Sequence, residues 1–329
     1  MKENLKTGNN YKDYESINIL ERWLISSTNL GQLDCDTVFP SNIRTLSTTK
    51  KMKEEFEEKK ILDSEKKIDF LCNQVENFLR KEFESQEYKI EISLGEKSVS
   101  LKYNNFCISF SEERISLLLK KTEIKHLMTT ILRYQCISPG AQHWNIPFEI
   151  YKLLDDEFEL EIEGFASPFN SQLLKLKGGN FCSLFKDTDS VYGSLGSFFD
   201  QSFIGKRAIL NTPYLPEILE KIVEKCISTC SKTKDEETIL IINVPTWRDA
   251  KFFQHLQNSQ FKKKEFDHPK FEHYFENSNL NDIPVLATFG ASWFVLAKNC
   301  KRNYNFDLFN NLFEGSKILK ELKERKKFF

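Results

Sequence analysis
The spacing of apolar residues changes several times along the 329-residue chain, and each change marks a new kind of element. Around "LERWLISSTNLGQL" the pattern predicts an amphipathic helix. Residues 51–83 predict a long one, with Ile68, Leu71, Val75, Phe78 and Leu79 at helical spacing and charges interleaved. Over 88–111, "YKIEISLGEKSVSLKYNNFCISFS", the period falls to two, with Gly95 in a turn between two strand-like runs. "EERISLLLKKTEIKHLMTTILRYQ" then returns to helix. Residues 1–125 therefore read as a helical module carrying a small β-sheet.

From residue 126 strands and helices alternate. "FEIYKLLDDE" is helical and "FELEIEGFA" is a strand running into a loop. "RAILN" is a short strand, and "PEILEKIVEKCISTCS" is a helix with Leu219, Ile222, Val223 and Cys226 on one face. "ETILIINVP" is apolar throughout, as expected of a parallel strand buried on both faces. "KFFQHLQNSQ" reads as a helix, and two late strands fall near "FKKKEFDH" and "PVLATFGASWFVLAK". This alternation predicts an α/β sheet with helices on both faces over 126–300, followed by a terminal helix within 301–329.

Hydrophobic content of 40% and charged content of 29% suit a soluble globular protein, and a formal charge of −1 confines any nucleic-acid surface to a local patch. No run has the length of a membrane span. The polar start "MKENLKTGNNYKDYES" predicts no secretory signal. The eight Cys form no CxxC pair, so neither a zinc site nor a disulfide framework is indicated. Cys226 and Cys230, one helical turn apart, read as structural thiols. The expected location is intracellular, in nucleus or cytoplasm, and not secreted. His268 and His273 have no partner at ligand spacing, so no metal is expected.

One step in this pattern is too polar and too stiff for simple packing. The strand "RAILN" ends in Asn211, Thr212, Pro213 and Tyr214 before a helix begins. In an open α/β sheet, ligands sit at the carboxyl ends of strands. The amino group of adenine is a poor nucleophile because its lone pair is delocalised into the ring. Two acceptors on its hydrogens, the Asn211 side-chain oxygen and the Thr212 carbonyl, would help present that lone pair to an electrophile. Pro213 stiffens the loop, and Tyr214 offers a ring for base stacking. Positioning of this kind is most of what methyl transfer needs. Taken alone, the tetrapeptide is equally an ordinary strand-to-helix connection. The order strand–loop–helix, then strand–NTPY–helix, has the form of an S-adenosylmethionine-dependent amino-methyltransferase. Its cofactor loop would be "EGFASPFN" (163–170), which lacks the usual glycine-rich form.

Several segments, in order over roughly 130–300, resemble the cap-specific adenosine N6-methyltransferases, the phosphorylated CTD-interacting factor family. They are "GFASPFN", "FCSLFKDTDSVYGSLGSFFD", "NTPY", "VPTWRD" and "SQFKKKEFDHPKFEHYF". The family uses Asn-Pro-Pro-Phe at the catalytic step; here Thr212 replaces the first Pro and Tyr214 the Phe. The resemblance implies a Rossmann-like methyltransferase sheet beside an N-terminal wall of an RNA groove. It also implies S-adenosyl-L-methionine as cofactor, lodged against Phe165, Ala166, Ser167, Pro168, Asn170 and Asp200. Trp247, with Arg248 beside it, reads as core or as a ring that meets the base or the cap guanine, and Lys262, Lys263 and Lys264 read as solvated surface or, at the mouth of a base pocket, as phosphate contacts. Asp187, Asp189 and the turn at Tyr192–Ser194 read equally as an Asx-type turn or as ligand contacts. No WW domain, the phosphopeptide reader of animal members, is read in the chain. The implied activity is methyl transfer to N6 of adenosine in RNA, at the first transcribed adenosine beside a methylguanosine cap, with capped mRNA as partner. The alternatives are internal RNA or DNA adenine methylation, or a non-catalytic RNA-binding subunit, which the Thr212 and Tyr214 departures motivate.

Overall fold
A computed structural model describes residues 90–94, 98–103, 106–137, 144–278 and 282–326. The helices expected before residue 90 lie outside the described residues, as does Gly95. The chain divides into two compact units, residues 1–89 with 129–139, and residues 90–128 with 140–329. The small sheet belongs to the second unit, to which everything below refers.

That sheet has three antiparallel strands, β1 (Ile90–Leu94), β2 (Ser98–Tyr103) and β3 (Phe106–Ser111), in the order β1-β2-β3. The sequence suggested two; the third is the run Phe106–Ser111, where the alternation continues. Ser111 caps α1 (Glu112–Leu119) by accepting from the Arg114 amide at 3.3 Å. The helix expected over 112–135 is broken after Leu119, and α2 (Ile124–Ile137) resumes it.

The main sheet has six strands in the order β6-β5-β7-β8-β12-β9. Its members are β5 (Ile162–Glu163), β6 (Asn180–Phe181), β7 (Arg207–Asn211), β8 (Thr238–Pro245), β9 (Lys262–His268) and β12 (Ala291–Lys298). β6, β5, β7 and β8 run parallel, while β12 is antiparallel to both β8 and β9. A second small sheet, β11-β10-β4, joins Trp144–Asn145 (β4), Tyr274–Asn277 (β10) and Ile283–Leu286 (β11). The late segment expected as one strand from Pro284 to Lys298 is thus split between two sheets at Thr288–Gly290.

Alternation along β8 puts Ile239 and Ile241 against α3 (Phe148–Phe158), with Ile150, Tyr151, Leu154, Phe158, Trp293 and Phe309 in one buried cluster. The other face of the sheet meets α6 (Pro216–Lys232) and α7 (Lys251–Gln257). α6 buries Ile218, Leu219, Ile222 and Val223, and Phe253 of α7 lies edge-on to Phe294 at 5.2 Å. Each such side chain contributes roughly 1.5–3 kcal/mol. Two short helices, α4 (Gln172–Lys177) and α5 (Lys186–Asp189), lie between, and α8 (Lys317–Lys326) closes the described chain. No helix of the described residues is long and apolar enough to cross a membrane. Among them no group of three or more His, Cys, Asp or Glu could hold a metal.

Candidate functional site
The parallel strands end together, and the polar residues gather at that edge. Asn211 closes β7 opposite Asn243 of β8. The Asn211 amide nitrogen donates to the Trp144 carbonyl at 3.2 Å. This orients the amide so that its oxygen, which takes no hydrogen bond among the described residues, is the exposed acceptor. Thr212 is buried, and its hydroxyl and backbone N–H both donate to the Asn243 carbonyl, at 2.7 and 3.3 Å. The Tyr214 hydroxyl donates to the Asn243 side-chain oxygen at 3.0 Å, and burial raises its pKa well above the usual tyrosine value. Asn243, itself buried, therefore braces the loop through two acceptors. Pro213 accepts from the Leu215 N–H at 2.9 Å, and Pro216 starts α6, where its missing N–H costs nothing.

Rings wall this edge. Tyr214 lies edge-on to Phe289 at 5.5 Å and to Trp247 at 6.5 Å. Trp144 stacks on Phe275 at 5.9 Å and on Phe289 at 6.4 Å. Trp247 is 41% exposed, so its ring is open to a ligand rather than part of the core. Arg248 is ion-paired with Asp267 and lies over Phe253.

Beside it, β5 runs into the loop 164–170. The Gly164 N–H donates to the Ile209 carbonyl at 2.8 Å, and a Cβ on Gly164 would come within 2.0 Å of Leu210 Cδ2. Only glycine permits so close an approach to the residue before Asn211. Ser167 and Asn170 are buried and engaged with each other: the Ser167 N–H and hydroxyl donate to Asn170 Oδ1 at 2.6 and 3.0 Å. They shape the loop. Pro168 is also buried, while Phe165 and Ala166 are half-buried; Phe165 packs on Phe198 at 4.6 Å. Phe169 stacks on Phe110 of β3 at 4.9 Å. Asp200 is exposed at the end of a 3-10 turn, Phe198–Asp200. Asp189 is fully buried and its carbonyl accepts from Ser194, with Gly193 at φ 112 between them, so this stretch is a turn.

Sequence reasoning gave no role to Glu163, Arg114, Asn243 or Trp144. Glu163 ends β5; its carboxylate accepts from the Ser171 hydroxyl at 2.8 Å and the Leu173 N–H at 3.2 Å, fastening α4 below the loop. Burial outweighs these bonds and raises its pKa to about 7. Arg114 is buried and donates to the Ser171 carbonyl at 2.8 Å, while its Nε and Nη2 have no hydrogen-bond partner among the described residues. A polar residue inside an apolar strand, Asn243 within "TILIINVP", was the available signal.

The lysine run lies elsewhere. Asn211 is level, across β8 and β12, with Phe266. Lys264 is level with Ile209 and Lys262 with Ala208, toward the opposite end of the edge strand. Three strand spacings alone separate them from β7 by about 14 Å. Lys262 is paired with Glu265 at 2.7 Å and Lys264 with Asp307 at 3.0 Å; Lys263 is exposed. The expected rim position of Lys262–Lys264 is thus not what the register gives.

With this geometry in place, the comparisons with known proteins are decisive for kinship. The sequence model described as "Phosphorylated CTD interacting factor 1 WW domain" matches residues 116–278. Over these residues the chain is kin to the phosphorylated CTD interacting factor 1 family. The matched residues run from α1 to β10 and include both loops described above. The human protein named mRNA (2'-O-methyladenosine-N(6)-)-methyltransferase is 26% identical over 137 residues, and the mouse protein of that name is 26% identical over 140. Each match covers 41% of this chain and 19% of the relative, so it spans about a fifth of those proteins' length.

Proposed function
We propose that this chain is an S-adenosylmethionine-dependent methyltransferase that modifies N6 of adenosine in RNA, at the cap-adjacent first adenosine. The observation that carries the reading is the pair of acceptors at the end of β7. The Asn211 oxygen is turned outward because its amide nitrogen is held by Trp144, and the Thr212 carbonyl follows it on a loop pinned to Asn243. An exocyclic amino group placed there would donate both hydrogens, which fixes it in plane and turns its lone pair toward the cofactor loop. Tyr214, and with it Trp144 and Trp247, supply π faces for the base and a neighbouring ring. Asn243 holds the Thr-Pro-Tyr form of the loop at two points, which argues against a non-catalytic subunit.

The strand order supports a Rossmann-like methyltransferase sheet, with the cofactor over the ends of β5 and β7. The residues present fit S-adenosylmethionine. Asp200 is an exposed carboxylate suited to a hydroxyl or amino group, and Phe165 gives a half-exposed ring. The two orphaned guanidinium nitrogens of Arg114 beside Ser171 suit a carboxylate. When bound, the cofactor supplies a methyl group on a positively charged sulfur. Ser167, Pro168 and Asn170 hold the loop's shape, and Ala166 donates its N–H to the Cys182 carbonyl at 3.0 Å, tying the loop to the strand edge. Asn211 and Thr212 would hold the amino nitrogen in line as it takes the methyl carbon, the carbon–sulfur bond breaking with its electron pair left on a neutral thioether, and the proton lost from the nitrogen would pass to solvent.

The test is methyl transfer to matched RNAs that are capped, uncapped, or begin with guanosine. The capped adenosine RNA should be the best substrate and the guanosine RNA inert. Equal transfer to uncapped or internal adenosine would move the assignment to internal adenine methylation. No transfer, with cofactor binding intact, would leave a binding subunit.

A further inference from the structure
The chain is near neutral overall, yet one surface at the reactive edge is strongly basic. α8 carries Lys317, Lys320, Lys323, Arg325 and Lys326 against only Glu321 and Glu324. Its inward side is fixed by Leu319, which is buried, and by Leu322, packed on the same core cluster. Its far end is anchored to the turn after β9. Lys326 Nζ sits 2.8 Å from the centroid of the Phe271 ring, Lys323 pairs with Glu272, and Lys270 flanks the same ring at 5.7 Å. Phe271 itself has φ 68, an unfavourable backbone for a bulky residue, held by its N–H donating to the Ala287 carbonyl at 2.8 Å. Ala287 is two residues from Phe289, the ring edge-on to Tyr214, so at most about 7 Å of chain separates those two positions. The basic helix therefore ends beside the aromatic wall of the Asn211 site.

Lys270, Lys317, Lys320 and Arg325 are all exposed and have no ion pair among the described residues. Lys262 and Lys264, at the other end of β9, are neutralised by carboxylates. Unpaired cations on a rigid, anchored helix next to a base site are what a phosphate backbone needs, since each phosphate contact releases counterions.

We propose that the outer side of α8 with Lys270 is the track on which the RNA phosphates lie as the strand leaves the adenosine site. This rests on the RNA reading above. The nucleotide in the site is held by its base, while the track sets affinity without regard to sequence.

The test uses the full chain with S-adenosylhomocysteine present and a labelled, capped, adenosine-initiated RNA, titrated over a series of salt concentrations. In the K270S/K317S/K320S/R325S variant, the slope of log K against log salt should flatten by roughly 1.4–2.1, which is two to three lost contacts at about 0.7 each on a single strand. Affinity for S-adenosylhomocysteine should not change. The K262S/K263S/K264S variant should keep the wild-type slope. A K320E/R325E variant, which removes no side-chain hydrogen bond or ion pair among the described residues, should bind more weakly still at low salt. An unchanged slope in the first variant while the wild type binds and methylates RNA overturns the track and leaves the activity standing, as does flattening seen only in the second. A wild type that neither binds nor methylates RNA overturns both.

Discussion

At the scale of single residues, the loop Asn211–Tyr214 is defined by what each polar atom is already doing. The Tyr214 hydroxyl is engaged with Asn243, so it is not available to the base; the ring face is. Tyr214→Phe should then lower stability by about 1–3 kcal/mol, because a buried acceptor on Asn243 loses its donor, while most methyl transfer survives. Tyr214→Ala should lose the stacking as well, roughly 1–3 kcal/mol of base binding. Urea melts and single-turnover transfer separate the two. Transfer as poor in Phe as in Ala would give the hydroxyl a direct role. The Asn-Thr-Pro-Tyr step itself was legible in the sequence because its logic is local: a polar, stiff break between an apolar strand and a helix. Its braces were not. Asn243 lies 31 residues from Thr212, and Trp144 lies 67 residues from Asn211. Such contacts are set by strand order, which no short window contains.

At the scale of elements, two strands and one glycine decide the alignment of the site. β7 and β8 read correctly from their apolar runs, and α6 and α7 from helical spacing, since burial on both faces leaves a strong signature. β4 and β6, of two residues each, leave none, β5 is the short core of the longer strand read at "FELEIEGFA", and the split at Thr288–Gly290 was hidden because apolar residues continue on both sides of it. The role of Lys262–Lys264 was misplaced for a related reason: the direction of β9 depends on β12 running antiparallel between it and β8. Gly164 couples the loop 164–170 to the end of β7. Gly164→Ala would force Leu210 to move, because the new methyl meets its side chain rather than open space. The expected cost is about 1–3 kcal/mol of stability, with a loss of methyl transfer larger than the loss of cofactor affinity, because Leu210 precedes Asn211. Calorimetry with S-adenosylhomocysteine alongside transfer rates checks this. Equal losses in both would show that the loop alone is disturbed.

For the described molecule as a whole, four buried titrating groups oppose each other. Burial raises Glu163 and Glu276 from 4.5 to about 7. Burial lowers His268 to about 3 and His273 to about 4 from 6.5. The carboxyl groups favour the folded state fully below pH 4.5, and that contribution is lost as pH rises toward 7. The imidazoles favour it above pH 6.5, and theirs is lost as pH falls toward 3–4. Between about pH 4.5 and 6.5 the two pairs offset each other, so stability should be nearly flat, then drop below pH 4.5. His268 sits among Phe266 and Phe313, so a phenyl ring suits its place. In His268→Phe the balance tips, and stability should rise as pH falls from 6.5 to 4.5. Chemical denaturation across that range decides it: a variant curve parallel to the wild type would show that His268 is not one of the opposing groups.

The hydrogen bond from Asn211 to the Trp144 carbonyl has a meaning beyond stiffness. An asparagine amide is symmetric in shape but not in polarity, and left alone it would rotate to suit whatever it met. Held by its nitrogen, it keeps its oxygen turned outward as an acceptor. Adenine brings an amino group to that place, whereas guanine, in the same pose, brings a carbonyl oxygen. Two lone pairs would then face each other in a confined site, at a cost of about 1–3 kcal/mol for the desolvated groups left unpaired. On the proposed reading, one fixed bond to a residue 67 positions away in sequence would make the end of β7 a filter that sorts purines by the polarity of their sixth position, and the guanosine-initiated RNA would read that filter directly.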